Sequence, residues 1–387
     1  MTGLDWECDR GFLDQVRAFA AGELAEQAAA GPLDAARNAQ LLRRAADLGL
    51  TGIEVPRSVG GLGLGFREKA KACEILAGVD FGFALSLVNT HNVAARLAVT
   101  APPELAARLL PDLLAGQHHA CTALTEPHAG SDFFAISTMA QRTGDGWCLH
   151  GEKAWIANGA VAGLSIVYAQ TGTVGERDGI AAFLVRLDDP AVSRTACSVD
   201  AFVPAPTGGF TLDAYRVPEG EMLLPPGGAF RAILNEINGA RAYVAAMCCG
   251  MLAAALESAH GFGRERRSFG QPLQAHQHWR LRVAEGEVAL AAARALTAAA
   301  VEAVAEEAAS AQLLAAQAKI ATTQALGRWM PELLHALGAA GLSGQTPMKA
   351  HLAAAQVVGL VDGSTEMLLE RVAALTGRRK TELFREG

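Results

Sequence analysis

"LTEPHAGSD", Leu124 to Asp132, crowds Thr, Glu, Pro, Gly, Ser and Asp into nine residues of a chain otherwise rich in Ala and Leu. Thr125 and Ser131 offer hydroxyls, and the Ala129–Gly130–Ser131 turn offers backbone N–H groups. Such a set suits a ligand rich in carbonyl or phosphate oxygens. An ordinary turn, with Asp132 capping a following helix, accounts for the same residues. Both readings stand at this level, and the flanking sequence has to separate them.

The stretch sits where the texture of the chain changes. Before it, residues 1–118 read as a helical domain. "GFLDQVRAFAAGEL" (11–24) and "NAQLLRRAADLGL" (38–50) repeat apolar residues at helical spacing. "TAPPELAARLLPDLLAG" (100–116) predicts a helix entered through Pro and left at Gly116. "VPRSVGGLGLG" (55–65) reads as a glycine-rich loop. After the change, residues 119–225 lose that period. "GWCLHGEKAWIANG", "LSIVYAQTG" and "GIAAFLVRL" are short β-rich runs, and they predict a compact antiparallel β-barrel domain. From 226 to 387 the helical period returns in Ala-rich segments over 227–262, 276–308 and 312–339, then shorter ones to about 376. Their small side chains suit a close-packed four-helix bundle. The end, "GRRKTELFREG", reads as a solvated tail.

Composition narrows the function. The chain has 387 residues, 51% hydrophobic and 19% charged, which is globular and long enough for two or three domains. A net charge of −7 without a basic block argues against nucleic acid as a partner. The acidic start "MTGLDWECDR" lacks an apolar signal region, and Glu, Arg and Gln break the Ala-rich runs before the ~18 residues of a membrane span. The seven cysteines, Cys8, Cys73, Cys121, Cys148, Cys197, Cys248 and Cys249, show no CxxC pairing, so reduced thiols in a cytoplasmic protein are expected. The ten histidines have no metal-binding spacing, so no metal is expected. His128 reads as loop surface and His91 as a core histidine.

"CTALTEPHAGSD" resembles the signature of the acyl-CoA dehydrogenase family. Two further stretches agree, in the same order: "KAWIANGA" (153–160) resembles its Trp-Ile-x-Asn-Gly strand, and "RERRSFGQPLQAHQ" (264–277) its Arg-x-x-Phe-Gly helix end with a Gln eight residues after the Phe. The layout of helices, β domain and helices agrees too, so the resemblance spans nearly the whole chain. It implies FAD as cofactor. Leu124, Thr125, Ser131, Trp155, Ile156 and Ala157 then fall in the flavin site, with Thr125 on the pyrimidine side and Trp155 against the ring. Arg266, Phe269 and Gln277 reach the FAD of a neighbouring subunit in this family, which implies a homodimer or homotetramer. His335, Gly338, Ser364 and Glu366 complete the implied cofactor set, and Ser131, Asn238, Arg241 and Gly363 the substrate set. An Arg suits pyrophosphate, because its forked donors match phosphate oxygens; Arg266 also reads as a solvated member of "RERR".

The family removes the α-proton of an acyl thioester, carried by CoA or an acyl carrier protein, while flavin N5 takes the β-hydride. Electrons leave through an electron-transferring flavoprotein or a similar acceptor. The base is usually a Glu in a Tyr-Glu-Gly-Thr loop. Here the matching stretch is "GLVDGSTEML" (359–368), so the position falls on Asp362, one methylene shorter. A branch of the family carries its base just before the residue that aligns with Arg241, and Ala240 stands there. Asp362 is then the remaining positional candidate; it also reads as an N-cap for a helix over 364–376. Ala157 replaces a frequent Thr or Ser, His335 a frequent Gln, and Ala353–Ala354 an Arg-Asp pair. A flavin oxidase or monooxygenase of the same fold, acting on nitroalkanes, and a weakly active FAD-binding subunit of a hetero-oligomer are the alternatives.

Overall fold

The computed structural model describes residues 8–31, 33–196, 206–343 and 346–383. Six helices come first: α1 Arg10–Phe19, α2 Ala25–Ala29, α3 Ala35–Asp47, α4 Phe66–Ala77, α5 Phe81–Thr100 and α6 Pro103–Leu114. Side chains cap the early ones. Asp9 accepts from Phe12 N–H and Asp34 from Arg37 N–H. As the sequence predicts, α6 is entered through Pro103 and its chain leaves at Gly116 with φ +65°.

Eight strands follow: β1 Ala120–Ala123, β2 Met139–Arg142, β3 Gly146–Ile156, β4 Leu164–Gln170, β5 Ile180–Arg186, β6 Val192–Ala196, β7 Gly208–Pro218 and β8 Met222–Leu224. They form one sheet in the order β6-β7-β3-β2-β4-β5-β8, with β1 also on β4. Two features differ from the expected antiparallel barrel. The β1–β4 and β2–β4 pairs are parallel, and among the described residues the path stays open between β6 and β8. β8 is only three residues long and shifts register against β5, so it has too little edge to template a closing strand. All seven residues of β4 are buried, the pattern of a strand covered on both faces. Phe183, Phe210, Leu212, Tyr215 and Val217 centre the sheet's core.

The C-terminal region holds the long helices α7 Ala229–Glu265, α8 Gln277–Ala305, α9 Ala311–Leu337 and α11 Thr365–Leu383, plus the short α10 Met348–Val357. A two-stranded hairpin, β9 Arg267–Ser268 with β10 Gln271–Pro272, joins α7 to α8. The predicted segments match the first three long helices to within a few residues. The expected solvated tail instead continues α11 to Leu383; residues 384–387, the start Met1–Glu7 and Cys197 lie outside the described residues.

Contacts divide the chain into two compact units that cut across the helix–sheet–helix order. One holds Leu33–Gly65 and Gly82–Glu236, so α3, α5 and α6 go with the sheet. The other holds α1, α2, Phe66–Phe81 and everything from Ile237. In the second, α9 packs against α8, α10 and α11. Ala315, Ala316 and Ala318 on α9 are fully buried, which lets backbones approach closely. Arg67 and Glu74 of α4 pair with Glu302 and Arg294 of α8.

Contrary to the sequence expectation, α7 and α8 are each long and apolar enough, by length and composition, to cross a membrane. The apolar window of α7 is 78% buried within the protein, so the core already uses it; that of α8 is 39% buried. None of the six described cysteines is joined in a disulfide.

Candidate active site

The end of β3 and the segment after β1 meet side by side. Ala154 N–H donates to the Thr125 carbonyl at 3.1 Å, and Lys153 Nζ to the Leu124 carbonyl at 3.1 Å. "TEPHAG" closes as a tight turn, with Ala129 N–H donating to the Glu126 carbonyl at 3.1 Å. The Ala129 N–H is therefore used internally, while Gly130 and Ser131 are exposed. Asp132 Oδ1 accepts from Phe134 N–H at 3.3 Å and caps a short turn of helix, so the capping reading also holds. His128 is exposed, and His91 is buried with Nε2 3.3 Å from Glu54 Oε2.

Beneath this surface lies a buried ion pair that the sequence reading passed over. Lys153 Nζ sits 2.7 Å from Glu126 Oε1. The same carboxylate accepts from the N–H and hydroxyl of both Ser137 and Thr138. Burial would raise the Glu126 pKa, but Lys153 and these donors outweigh it and hold the carboxyl at about 2. Burial lowers Lys153 to about 8 against the pull of Glu126. Glu126 stays ionised whatever Lys153 does, because its carboxylate keeps four further donors from Ser137 and Thr138. The available signal was a Glu inside the polar turn "LTEPHAGSD" and a Lys just before the apolar "AWIA".

β3 then breaks its pairing. Lys153 faces Phe210 and Ile156 faces Gly208, leaving Ala154 and Trp155 together opposite Gly209. A Cβ on Gly209 would lie 2.6 Å from the Lys153 carbonyl oxygen, so the bulge needs glycine there. Trp155 takes φ +58° and keeps 61% of its surface exposed, while Ile156 turns into the core and Ala157 stays half-buried. Asn158, φ +65°, is fully buried. Its amide donates to the carbonyls of Ser86 at 2.7 Å and Ala120 at 3.0 Å, and accepts from the Ser86 hydroxyl at 2.7 Å.

The other unit carries two further groups. At the α7–α8 corner, Phe269 and Gly270 have φ +51° and +82°, the pair of left-handed residues that a tight hairpin turn demands. Phe269 is 97% exposed at its tip, flanked by exposed Arg266 and Gln277. Trp279 Nε1 donates to the Ala336 carbonyl at 3.1 Å, which brings exposed His335 and Gly338, at the end of α9, to the same end of the bundle.

The last group surrounds Asp362. Asp362 and Gly363 are successive left-handed residues, φ +53° and +106°, and a Cβ on Gly363 would lie 2.2 Å from Met367 Cε. Ser364, not Asp362, caps α11, its hydroxyl accepting from Met367 N–H at 3.3 Å. Glu366 is exposed on the first turn. Arg241, on α7, donates Nε to the Asp362 carbonyl at 3.1 Å and Nη1 to Asn238 Oδ1 at 3.3 Å. Lys319, a buried residue of α9 that the sequence reading missed, donates Nζ to the Gly363 carbonyl at 2.7 Å. Its signal was a single Lys within "AAQAKIATT".

Among the described residues, nothing hydrogen-bonds the Asp362 carboxylate and no cation lies in ion-pair contact with it. Desolvation raises its pKa, and the nearby charges of Lys319 and Arg241 work against that rise. Desolvation also lowers Arg241, to about 10, and Lys319.

Six non-glycine residues among those described have left-handed backbone, and Trp155, Asn158, Phe269 and Asp362 are four of them. Strain concentrated in the sequence-nominated motifs points to function rather than packing. Models of the acyl-CoA dehydrogenase N-terminal, middle and C-terminal domains match residues 7–117, 121–214 and 227–376, in that order. The chain belongs to the acyl-CoA dehydrogenase family.

Within the family it is 29% identical to the mitochondrial short-chain specific acyl-CoA dehydrogenase of Homo sapiens, over 92% of this chain and 86% of that protein. Its fold matches butyryl-CoA dehydrogenase from Megasphaera elsdenii with a TM-score of 0.88 and 26% identity, covering 96% of this chain and all of that one. A glutaryl-CoA dehydrogenase from Mycobacterium smegmatis, in complex with FADH2, matches with a TM-score of 0.85 and 26% identity, over 95% of this chain and 94% of that one. FAD is the family's cofactor. The residues present fit it in kind: an exposed indole at Trp155, a hydroxyl at Thr125, whose carbonyl accepts from Ala154 N–H, and an exposed guanidinium at Arg266. Ala157 departs from that set, offering no hydroxyl.

Proposed function

We propose that this chain is an FAD-dependent dehydrogenase that introduces an α,β-double bond into an acyl thioester, with Asp362 as the base. The observation that carries the assignment is the state of that carboxyl. It is half-buried, its oxygens accept no hydrogen bond among the described residues, and a strained turn holds it. A base for a weakly acidic α-proton needs a raised pKa and a free lone pair, and Asp362 has both. By contrast, the buried carboxylate of Glu126 is saturated with donors.

Bound FAD supplies the acceptor for the β-hydride. Thr125 and Trp155 hold its ring system, Trp155 excluding water from one face. Arg266 and Gln277 engage the FAD of a neighbouring subunit, so the working form is a homodimer or homotetramer. Arg241, Asn238 and Gly363 border the thioester. The carrier is CoA or an acyl carrier protein, and short acyl groups are the first class to try, given the short-chain and butyryl-CoA relatives. An electron-transferring flavoprotein takes the electrons. Described cysteines kept as thiols support a cytoplasmic location.

The test is anaerobic mixing of the FAD-loaded protein with a panel of short acyl-CoA thioesters while flavin absorbance is followed. Bleaching without rapid reoxidation on admitting air is expected. Rapid peroxide formation with nitroalkanes would favour the oxidase alternative. No bleaching with any thioester, on CoA or on carrier protein, would sink the dehydrogenase assignment.

A further inference from the structure

Two cations from different helices converge on the turn that carries Asp362. Arg241 binds the carbonyl of Asp362 and Lys319 the carbonyl of the next residue, Gly363. Lys319 has no exposed surface, and its neighbours along α9 are Ala318 and Ile320. Burying an ammonium costs several kcal/mol, which one carbonyl repays poorly. No carboxylate forms an ion pair with it among the described residues. A Leu or Met would fill the volume at less cost, so the charge itself calls for a reason.

The turn supplies one. Two successive left-handed residues leave their carbonyls outside any helix, and buried carbonyls need donors. Arg241 and Lys319 provide one each. With the backbone held at both carbonyls, the turn rather than side-chain reach sets where the carboxyl lies. That is what a base one methylene shorter than Glu requires.

We propose that Lys319 is a positioning residue for the reaction, fixing the Asp362 carboxyl through the Gly363 carbonyl and keeping it ionised by its own charge. The inference rests on Asp362 being the base. The groups around that carboxyl are consistent with it. Arg241 comes from α7 and Lys319 from α9; Arg371 of α11 adds positive potential at Arg241. Cys248 of α7 acts on Lys319, but burial pushes its thiol up to about 12, so it stays neutral.

The experiment is single-turnover flavin reduction by butyryl-CoA in the FAD-loaded enzyme, from about pH 5 to 9, for wild type, Lys319→Met, Lys319→Gln and Asp362→Asn. Lys319→Met is expected to slow reduction about 10- to 100-fold. It should also move the acid limb of the pH profile upward by about one unit, because a positive charge beside the carboxylate is gone. Lys319→Gln keeps a donor for the Gly363 carbonyl; it should recover most of the rate while the limb stays shifted. A wild-type rate and limb in Lys319→Met overturns the proposal. If Lys319→Met does not fold, Lys319→Gln decides alone, and an unshifted limb overturns it. Asp362→Asn separates the two claims: wild-type reduction there removes the base assignment itself, whereas an inactive Asp362→Asn beside a normal Lys319→Met removes only the role of Lys319.

Discussion

Glu126 and Asp362 are carboxylates set near cations, the first buried and the second half-buried, and the molecule treats them in opposite ways. Glu126 is matched by one Lys and by four donors from Ser137 and Thr138, and every contact goes to the carboxylate itself. Asp362 has two cations nearby, yet both bind backbone carbonyls and leave its oxygens without partners among the described residues. The first arrangement lowers a pKa and holds a turn in place. The second lets desolvation raise a pKa while keeping the group aimed and near positive charge. A saturated carboxylate serves structure, and an unsaturated one is available for chemistry.

The sharpest way to break this contrast is to neutralise each carboxylate in turn. Asp362→Asn should lower the rate of flavin reduction by an acyl-CoA about 10²- to 10⁴-fold. Its melting temperature should hold or rise. Folding raises this pKa, so the ionised carboxylate costs stability above that pKa, and Asn removes the cost. Thermal melts alongside stopped-flow traces check both halves; a destabilised Asp362→Asn with normal turnover would reverse the roles assigned to the two sites.

Glu126→Gln should do the opposite, lowering stability by about 3–5 kcal/mol because Lys153 is left buried and unpaired. Denaturant titration measures it. Any loss of activity should follow the loss of folded protein.

A smaller effect sharpens the same point through pH. Folding lowers the Glu126 pKa from 4.5 to about 2. Its contribution is therefore complete above the unfolded value and lost as pH falls through about 2. The stability gap between wild type and Glu126→Gln should close as pH falls from the unfolded value to about 2. A gap that persists unchanged at the acid end would contradict the ion-pair account.

The smallest expected change is Ser364→Ala, about 1 kcal/mol from the lost cap of α11, with the Asp362 turn still held by its two cations. A large loss of flavin reduction there would show that Ser364, and not the cations, holds the turn.

The sequence was most legible where local pattern and structure share a cause. Pro103 and Gly116 mark the ends of α6, and the β-rich runs became β3, β4 and β5 because their apolar residues face a sheet core. The strained residues were legible only through family resemblance, since nothing in a Trp or a Phe announces a left-handed backbone. Tertiary facts were hidden. The parallel entry of β1 beside β4 depends on pairing between segments more than 40 residues apart. Ser364 captured the cap that Asp362 could have made, because the two left-handed residues place Asp362 ahead of the helix start. Lys319, Lys153 and Glu126 went unread because a charged side chain usually points to solvent, and only the packed structure shows these turned inward.

Asn158 carries a consequence for how this chain can vary in length. One side-chain amide ties the turn after Trp155 to Ser86 on α5 and to Ala120 at the start of β1. The helix and the strand end are thereby locked to a common register. An insertion in the exposed segment 172–178 changes nothing at that knot. A single residue added within α5 near Ser86 would rotate the helix by about 100° and carry its partners away from Asn158. Added residues are therefore accommodated in the loops of this unit, whereas α5 and the Trp155 turn keep one register only at fixed length.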